Sequence, residues 1–208
     1  VNGIRVIFPD GTEKQLTETG YGLEKHLFER WIVESAVEEG AELVLKHKLT
    51  SMERIEQDGE FKGWRCDGKG DRFPISAKIV IDASGVSAVC SRFIKPDGSN
   101  PLNNKGKVVA GMQYELTNVP TDGYLDFYIW PKYAEKGYLW MIPKCDGRAN
   151  VGLVTEDRPR AKKALDEFIE HTHFKGLEQK LPSWKEKGNP AFGGTIPISG
   201  PFENTHYD

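Results

Sequence analysis

The chain has 208 residues, and its 28 lysines and arginines stand against 31 aspartates and glutamates, which leaves a formal net charge of −3. A chain of this length buries roughly 70% of the surface that its unfolded form exposes, and this argues against disorder. Its charges form no long block of one sign, which argues against nucleic-acid binding. No apolar run approaches the roughly 18 residues that a membrane-spanning helix needs.

Cysteine usage indicates a cellular location, and the first residue indicates whether the sequence is part of a longer protein. Cys66, Cys90 and Cys145 form neither a C-x-x-C pair nor a disulfide framework, and a reducing, cytoplasmic location is therefore expected. The chain starts at Val1, and the residues that follow resemble a strand and not a signal peptide. We therefore expect a fragment of a longer protein.

The first elements of the chain are a hairpin and a helix. Residues 1–16 predict two strands around a turn at Pro9-Asp10-Gly11, because proline and glycine favour the turn geometry. Apolar residues three and four apart predict a helix over Leu23–Glu39, and Gly40 ends it. The short step to Glu42–Leu45 predicts a strand beneath that helix.

A meander and a buried strand are expected next. Three short strands near residues 51–56, 61–66 and 71–75 are separated by glycine-containing turns. The apolar run Ala77–Asp82 then predicts a strand that is buried on both faces. It ends in Ala83-Ser84-Gly85, where small side chains would let a cofactor approach the backbone. An ordinary turn between a strand and a helix is the alternative.

The second half predicts an antiparallel sheet with one helix. A segment rich in Pro, Gly, Ser and Asn at residues 94–107 indicates a crossing between domains. Four strands are expected over Val108–Leu116, Tyr124–Trp130, Tyr138–Pro143 and Ala149–Thr155. A helix follows over Arg160–Phe174, with Leu165, Phe168 and Ile169 facing inward. The combination of these elements predicts the α+β fold class.

Aromatic side chains concentrate on two of the expected strands. The cluster consists of Tyr124, Phe127, Tyr128, Trp130, Tyr133, Tyr138 and Trp140. Tyr138 and Trp140 are two residues apart, so on one strand they project to the same face and can floor an apolar pocket. The alternative is that these rings simply fill the core of the sheet.

Metal and nucleophile chemistry are not indicated. His171 and His173 are two residues apart near a helix end, and residues at that spacing do not share a helix face. No cysteine or carboxylate set accompanies them, and we therefore predict no metal site. No G-x-S-x-G motif is present, which argues against hydrolase chemistry.

Three segments taken together resemble one known family. They are the helix and strand over 23–42, the strand and turn Ile79–Gly85, and Gly137–Lys144 with Ala149–Gly152. The third segment resembles a Y-x-W-x-F-P motif, with Ile142 in place of its phenylalanine. The family is that of the geranylgeranyl reductases, FAD-dependent enzymes with the p-hydroxybenzoate hydroxylase type of fold. They saturate isoprenoid chains, including those of archaeal membrane lipids.

The resemblance implies roles for particular residues. For FAD it implies Lys25, in place of the usual arginine, together with Leu49, Ala83, Ser84 and Gly85. For an isoprenoid lipid substrate it implies Trp130, Tyr138, Trp140, Pro143, Gly193 and Gly194. No side chain of the sequence is a convincing proton donor, so we name no catalytic acid, and the electron donor is not identified. The family's G-x-G-x-x-G unit does not occur here, and its Gly-Asp motif would fall just past Asp208.

The domain organisation implied by the resemblance alternates along the chain. Residues 1–20 and 97–200 would form a substrate domain, residues 21–96 part of the FAD domain, and residues 201–208 a return toward it. The whole enzyme would reduce isoprenoid double bonds in the cytoplasm or in peripheral contact with a membrane. A flavin monooxygenase or halogenase of the same fold is one alternative. A lipid-binding module without redox activity is another.

Overall fold

The computed structural model describes residues 1–94, 108–182, 185 and 187–198. Its strands are β1 (Gly3–Ile7), β2 (Glu13–Leu16), β3 (Lys48–Gln57), β4 (Glu60–Lys69), β5 (Ile75–Ala77), β6 (Val108–Leu116), β7 (Tyr124–Tyr128), β8 (Tyr138–Pro143), β9 (Ala149–Thr155), β10 (Gln179–Lys180) and β11 (Phe192–Pro197). Its α-helices are α1 (Lys25–Glu38), α2 (Ser91–Ile94) and α3 (Ala161–Glu170). Among the described residues, no helix is both long and apolar enough to cross a membrane.

The chain divides into two compact units. The larger unit consists of Val1–Lys25 and Val108–Ile196, and the smaller unit consists of His26–Lys107 and Pro197–Asp208. The functional domain boundaries expected from the sequence stay predictions. The expected crossing over 94–107 and the expected return over 201–208 fall, apart from Ile94, outside the described residues.

One sheet organises the larger unit. Its strands lie in the order β10-β6-β9-β8-β7-β1-β2, and β11 also pairs with β6. Strand β1 runs parallel to β7, whereas the pairs β1–β2, β7–β8, β8–β9, β9–β6 and β6–β10 are antiparallel. The sheet expected for this half of the chain is confirmed, and the opening hairpin adds two strands to it.

Helix α3 covers one face of this sheet. Alternate residues of β8 and β9 point toward the helix, because successive side chains of a strand project to opposite faces. Leu139 and Leu153 are fully buried there against Phe168. Leu165, Phe168 and Ile169 of α3 are buried as predicted. Tyr114 Oη of β6 donates a hydrogen bond of 2.6 Å to Asp166 Oδ1 of the helix.

A partly buried ion pair fastens β1 to β7. Arg5 and Asp126 lie opposite each other in register, and Arg5 Nε donates to Asp126 Oδ1 at 2.8 Å. Arg5 Nη2 donates to Asp126 Oδ2 at 3.0 Å, so the contact is bidentate. The Asp126 side chain is only 4% exposed. The first hairpin is thereby tied to the sheet across more than a hundred residues of sequence.

The smaller unit contains a three-stranded antiparallel sheet. Strands β3, β4 and β5 lie in chain order, and β3 pairs with β4 along its length. Met52, Trp64 and Cys66 form its buried core. The expected meander is confirmed, although its third strand begins at Ile75, later than predicted. Helix α1 is confirmed within two residues of its predicted ends, and Gly40 follows it at a φ of 98°.

Two strands expected in the smaller unit are absent from the described residues. Residues 42–45 have no regular structure, and the apolar run after Ala77 leaves the sheet at once. Ile79 and Ile81 are 79% and 86% exposed, so the expectation of a strand buried on both faces was wrong for this chain. The physical reason is that the backbone N–H and C=O groups of a strand need hydrogen bonds to a neighbouring strand. Neither sheet of the described residues places one beside these segments.

We expect Asp126→Ala to lower the free energy of unfolding by about 3 kcal/mol, because loss of one partner leaves a partly buried cation with fewer acceptors. Urea denaturation of the chain measures this. The matched control is Glu13→Ala, since Glu13 lies 3.9 Å from Arg5 Nε and its side chain is 48% exposed. It should cost less than about 1 kcal/mol. Equal losses from the two variants would contradict the importance of the buried pair.

Candidate functional site

The face of the large sheet that points away from α3 carries the candidate site. We call it the aromatic face, and it is formed by Gln113 and Glu115 of β6, Phe127 of β7, Tyr138, Trp140 and Ile142 of β8, and Asn150 and Gly152 of β9. Trp140 lies in register with Phe127 on one side and with Gly152 on the other. Gly152 in turn lies opposite Gln113. One row of the face therefore crosses four strands.

Three rings form one end of this face. The centroids of Phe127 and Tyr138 are 5.3 Å apart with the ring planes at 83°, and those of Tyr138 and Trp140 are 6.1 Å apart. Tyr138 is 39% exposed and Trp140 is partly buried. These rings are therefore available to an apolar ligand in a way that the fully buried rings of the core are not.

Trp140 is held in place by two neighbours. Its Nε1 donates a hydrogen bond of 3.2 Å to Gln113 Oε1. A Cβ on Gly152 would lie 2.5 Å from Trp140 Cζ2, so the indole occupies space that only glycine leaves free. The anchored indole is a rigid wall, and rigid walls lose little entropy when a ligand binds.

The opposite end of the aromatic face is charged. Lys144 Nζ lies 2.9 Å from both Glu24 Oε2 and Glu115 Oε2. Arg148 lies 2.7 Å from Glu24 Oε1 and 3.2 Å from Glu115 Oε1. We call these four residues the ionic cluster. Burial alone would raise the pKa of Glu115, but hydrogen bonds from Lys144 and Arg148 outweigh it and hold that pKa below its usual value.

A polar group without a partner lies between the two ends. Asn150 is in register with Ile142 on β8 and with Glu115 on β6. Its Oδ1 is buried and accepts no hydrogen bond within the part of the chain that the structure describes. A buried acceptor without a donor is costly, so this oxygen favours a ligand that carries a donor.

The other predicted substrate residues have different positions. Trp130 packs on the α3 side of the sheet, 5.4 Å from the Tyr128 ring and 5.7 Å from the Phe168 ring. The structure therefore brings Tyr138 and Trp140 together but does not bring Trp130 to them. Pro143 is buried at the end of β8. Gly193 and Gly194 lie in β11, where a Cβ on Gly193 would collide with the carbonyl of Gly111.

A concavity lies on the α3 side of the sheet, away from the aromatic face. It has a volume of about 630 Å³ and is lined by Arg5, Asp122, Asp126, Trp130 and His173, among others. Its charged groups already satisfy one another, because Arg5 donates to both aspartates. The described residues contain no group of three or more side chains arranged to hold a metal ion.

The predicted cofactor turn is an exposed loop of the smaller unit. Asp82 accepts hydrogen bonds from the backbone N–H groups of Ser84 at 2.9 Å and Cys90 at 2.8 Å, and Ser84 Oγ accepts one from Val89 at 2.9 Å. Gly85 has a φ of 62°, and no atom lies within 4 Å of where its Cβ would be. The space beside Gly85 is therefore open among the described residues, and the role of the turn in binding a cofactor stays a prediction.

The two remaining cofactor candidates differ in their surroundings. Leu49 of β3 packs against the core of the smaller unit, as do Val80 and Cys90 on either side of the turn. Leu49 and the turn are thus joined through one apolar cluster. Lys25 is the first residue of α1 and is exposed.

Sequence reasoning missed the polar members of the aromatic face. Gln113, Glu115 and Asn150 are polar residues inside otherwise apolar strands, and Lys144 continues the period of two set by Tyr138 and Trp140. That alternation was the available signal. It does not reveal which strands are neighbours, so the rows across the sheet were not predictable from it.

Comparison with known proteins identifies relatives along the whole chain. Residues 107–182 match the family model of the geranylgeranyl reductase catalytic domain. The chain is 32% identical to the digeranylgeranylglycerophospholipid reductase of Methanosarcina acetivorans, over 99% of this chain and 50% of that protein. It is also 32% identical to the reductase of the same name from Methanoculleus marisnigri, over 98% of this chain and 50% of that one. The chain thus spans about half the length of these curated relatives.

Solved structures share the fold. A geranylgeranyl bacteriochlorophyll reductase-like protein from Thermoplasma acidophilum superposes with a TM-score of 0.73 at 24% identity, over 96% of this chain and 50% of that one. A flavin-dependent brominase reaches a TM-score of 0.65 at 17% identity, over 93% of this chain and 50% of that one. Likeness at these identities shows the fold alone, and it confirms the predicted α+β class.

The region matched by the catalytic-domain model contains the whole of β6 to β9 and α3, and therefore the strands of the aromatic face. The relatives named as reductases extend the match to both units. The resemblance of this chain to the geranylgeranyl reductase family is thereby confirmed over its whole length.

Proposed function

We propose that this chain carries the substrate-holding sheet of an FAD-dependent reductase that saturates double bonds of an isoprenoid lipid. The observation that carries the proposal is the anchored ring wall of Tyr138 and Trp140 on a sheet face within the matched catalytic domain. The named relatives reduce digeranylgeranylglycerophospholipid by their printed names, which supports the same substrate class here.

The chemistry of an isoprenoid chain fits this wall. Such a chain has no hydrogen-bonding group along its length, so contact area and shape must supply its affinity. Flat rings provide large apolar contact at little conformational cost, and alkenes pack well against their faces. Trp140 is fixed by Gln113 and Gly152, so the position of the wall does not depend on the ligand.

The cofactor side of the proposal rests on the Ala83–Gly85 turn. When bound, FAD supplies hydride chemistry that no amino-acid side chain can supply. The turn presents backbone without large side chains, and Asp82 holds its shape through two backbone N–H groups. The resemblance to the family is the only support for Lys25 as a further cofactor-binding residue. We assign no proton donor.

Contact with a membrane surface would deliver a lipid substrate, and we propose that the enzyme acts in peripheral contact with a membrane.

The reaction type separates this proposal from its rival within the fold. Flavin-dependent halogenases have the same fold at 14 to 17% identity, which carries no argument about chemistry. The test supplies the flavin-loaded enzyme that contains this chain with reductant and a geranylgeranyl lipid, and follows the product by mass spectrometry. Each saturated bond adds two hydrogen atoms. Products that gain oxygen or halogen instead would contradict the proposal.

We expect Trp140→Ala to weaken binding of the isoprenoid alcohol geranylgeraniol roughly ten-fold or more, because it removes apolar contact of about 1.5 to 3 kcal/mol. Isothermal titration calorimetry of the protein with geranylgeraniol measures the change in affinity. Trp140→Phe should keep most of the affinity. The matched control is Trp130→Ala, which removes the same side chain from the other face of the sheet. It should cost stability and leave affinity unchanged, and a reversed pattern would contradict the site.

We expect Gly152→Ala to weaken geranylgeraniol binding and to lower the free energy of unfolding by about 1 to 3 kcal/mol, because the added methyl group would collide with the Trp140 indole and with the Met112 carbonyl and Gln113 Cβ of β6. Thermal denaturation and titration measure the two effects. Gly194→Ala is the control for stability, since no atom lies within 4 Å of where its Cβ would be. If Gly152→Ala binds as tightly as the unchanged protein, Trp140 is not the wall of the site.

A further inference from the structure

The aromatic face changes from apolar to charged along the direction of β8. Tyr138, Trp140, Ile142 and Lys144 follow one another at every second residue and project to the same side. From Tyr138 to Lys144 the chain rises roughly 20 Å, at about 3.4 Å per residue. An amphiphile laid along this line would meet rings at one end and charges at the other.

At the charged end, three cations surround Glu115, the one carboxylate that a strand of the aromatic face contributes there. Lys144, Arg148 and Lys180 all approach Glu115, at 2.9, 3.2 and 3.8 Å. Glu115 is 13% exposed, so its charge is partly removed from water and needs these partners. One carboxylate thus receives three cations. Nearby Glu178 accepts a hydrogen bond from Thr117 Oγ1 at 3.1 Å.

The second carboxylate of the ionic cluster comes from outside the sheet. Glu24 belongs to the irregular segment that precedes α1, and its side chain is 27% exposed. It bridges Lys144 and Arg148 with one oxygen to each, which is the geometry that two oxygens of a phosphate group adopt with paired cations. A carboxylate on a loop can move aside, whereas Glu115 is fixed by its strand.

We propose that the ionic cluster is a headgroup subsite, which binds a phosphate group carried by an isoprenoid chain in place of the Glu24 carboxylate. The proposal rests on the proposed function, since it places the tail of the same ligand on Tyr138 and Trp140. Lys144 and Arg148 bind the phosphate oxygens, and the tail extends past Asn150 and Ile142 toward the rings. The subsite thereby sets the direction in which the isoprenoid tail of the ligand lies along the sheet.

Calorimetric titration of the 208-residue chain with three probes tests this. Geranylgeranyl phosphate should bind about ten-fold more tightly than geranylgeraniol, because charge-assisted hydrogen bonds add to the same apolar contact. Inorganic phosphate alone should bind far more weakly than either. Added salt should weaken binding of the phosphorylated probe and not of the alcohol. If inorganic phosphate binds as tightly as geranylgeranyl phosphate, the subsite takes the free ion and the headgroup assignment is overturned.

Two variants keep the proposal open to refutation even if loss of a cation unfolds the sheet. Glu24→Gln removes the competing negative charge, while Lys144 and Arg148 keep Glu115 as an ion-pair partner. This variant should therefore bind geranylgeranyl phosphate several-fold more tightly than the unchanged protein does. Its affinity for geranylgeraniol should not change. Lys144→Met should remove most of the preference for the phosphorylated probe. Lys175→Met is the matched control, because that exposed lysine pairs with Glu170 away from the cluster and should change nothing.

The outcomes separate the two proposals. Equal affinities for both probes, unchanged by Glu24→Gln, would overturn the headgroup subsite and leave the isoprenoid wall intact. Affinity for geranylgeraniol that Trp140→Ala does not reduce would overturn the proposed function. Failure of both probes to bind would overturn both.

Discussion

Burial of one face of the large sheet under α3 is the constraint on which the rest of the larger unit depends. Leu139 and Leu153 point to the helix and are fully buried, so the residues next to each of them on its strand must point the other way. The pleat thereby assigns Tyr138 and Trp140 to the opposite face. A shift of the pairing by one residue would exchange the two sets and destroy both the core and the aromatic face.

The ionic cluster shows how the same sheet tolerates charge close to its apolar rows. Partly burying four charged groups costs solvation free energy, which is offset only when each group finds well-placed partners. Here every carboxylate oxygen of Glu24 and Glu115 receives a lysine or arginine nitrogen. The arrangement is complete without a ligand, and its lysine and arginine are residue types that bind phosphate. In the headgroup subsite that we propose, stability and recognition would therefore depend on the same two cations.

The two units differ in whether every segment with a strand-like sequence finds a neighbouring strand to pair with. In the larger unit each strand of the sheet has a ladder partner, and the partly buried Arg5–Asp126 pair joins the hairpin to β7. In the smaller unit the three-stranded meander is complete, but the apolar segment around Ile79 and Ile81 is exposed. Local alternation is enough to form a meander. A strand buried on both faces needs layers that local sequence does not supply.

Alternation and helical spacing in the sequence determined the strands of the large sheet, α3 with its inward side chains, and the shared face of Tyr138 and Trp140. These features depend on residues within one element, and their periods of 2 and 3.6 can be read directly. Only the tertiary structure decided that Trp130 lies on the other side, that Gly152 makes room for Trp140, and that Glu24 reaches Lys144 and Arg148. Those contacts join residues far apart in the chain, and they depend on strand order and register, which no local period encodes.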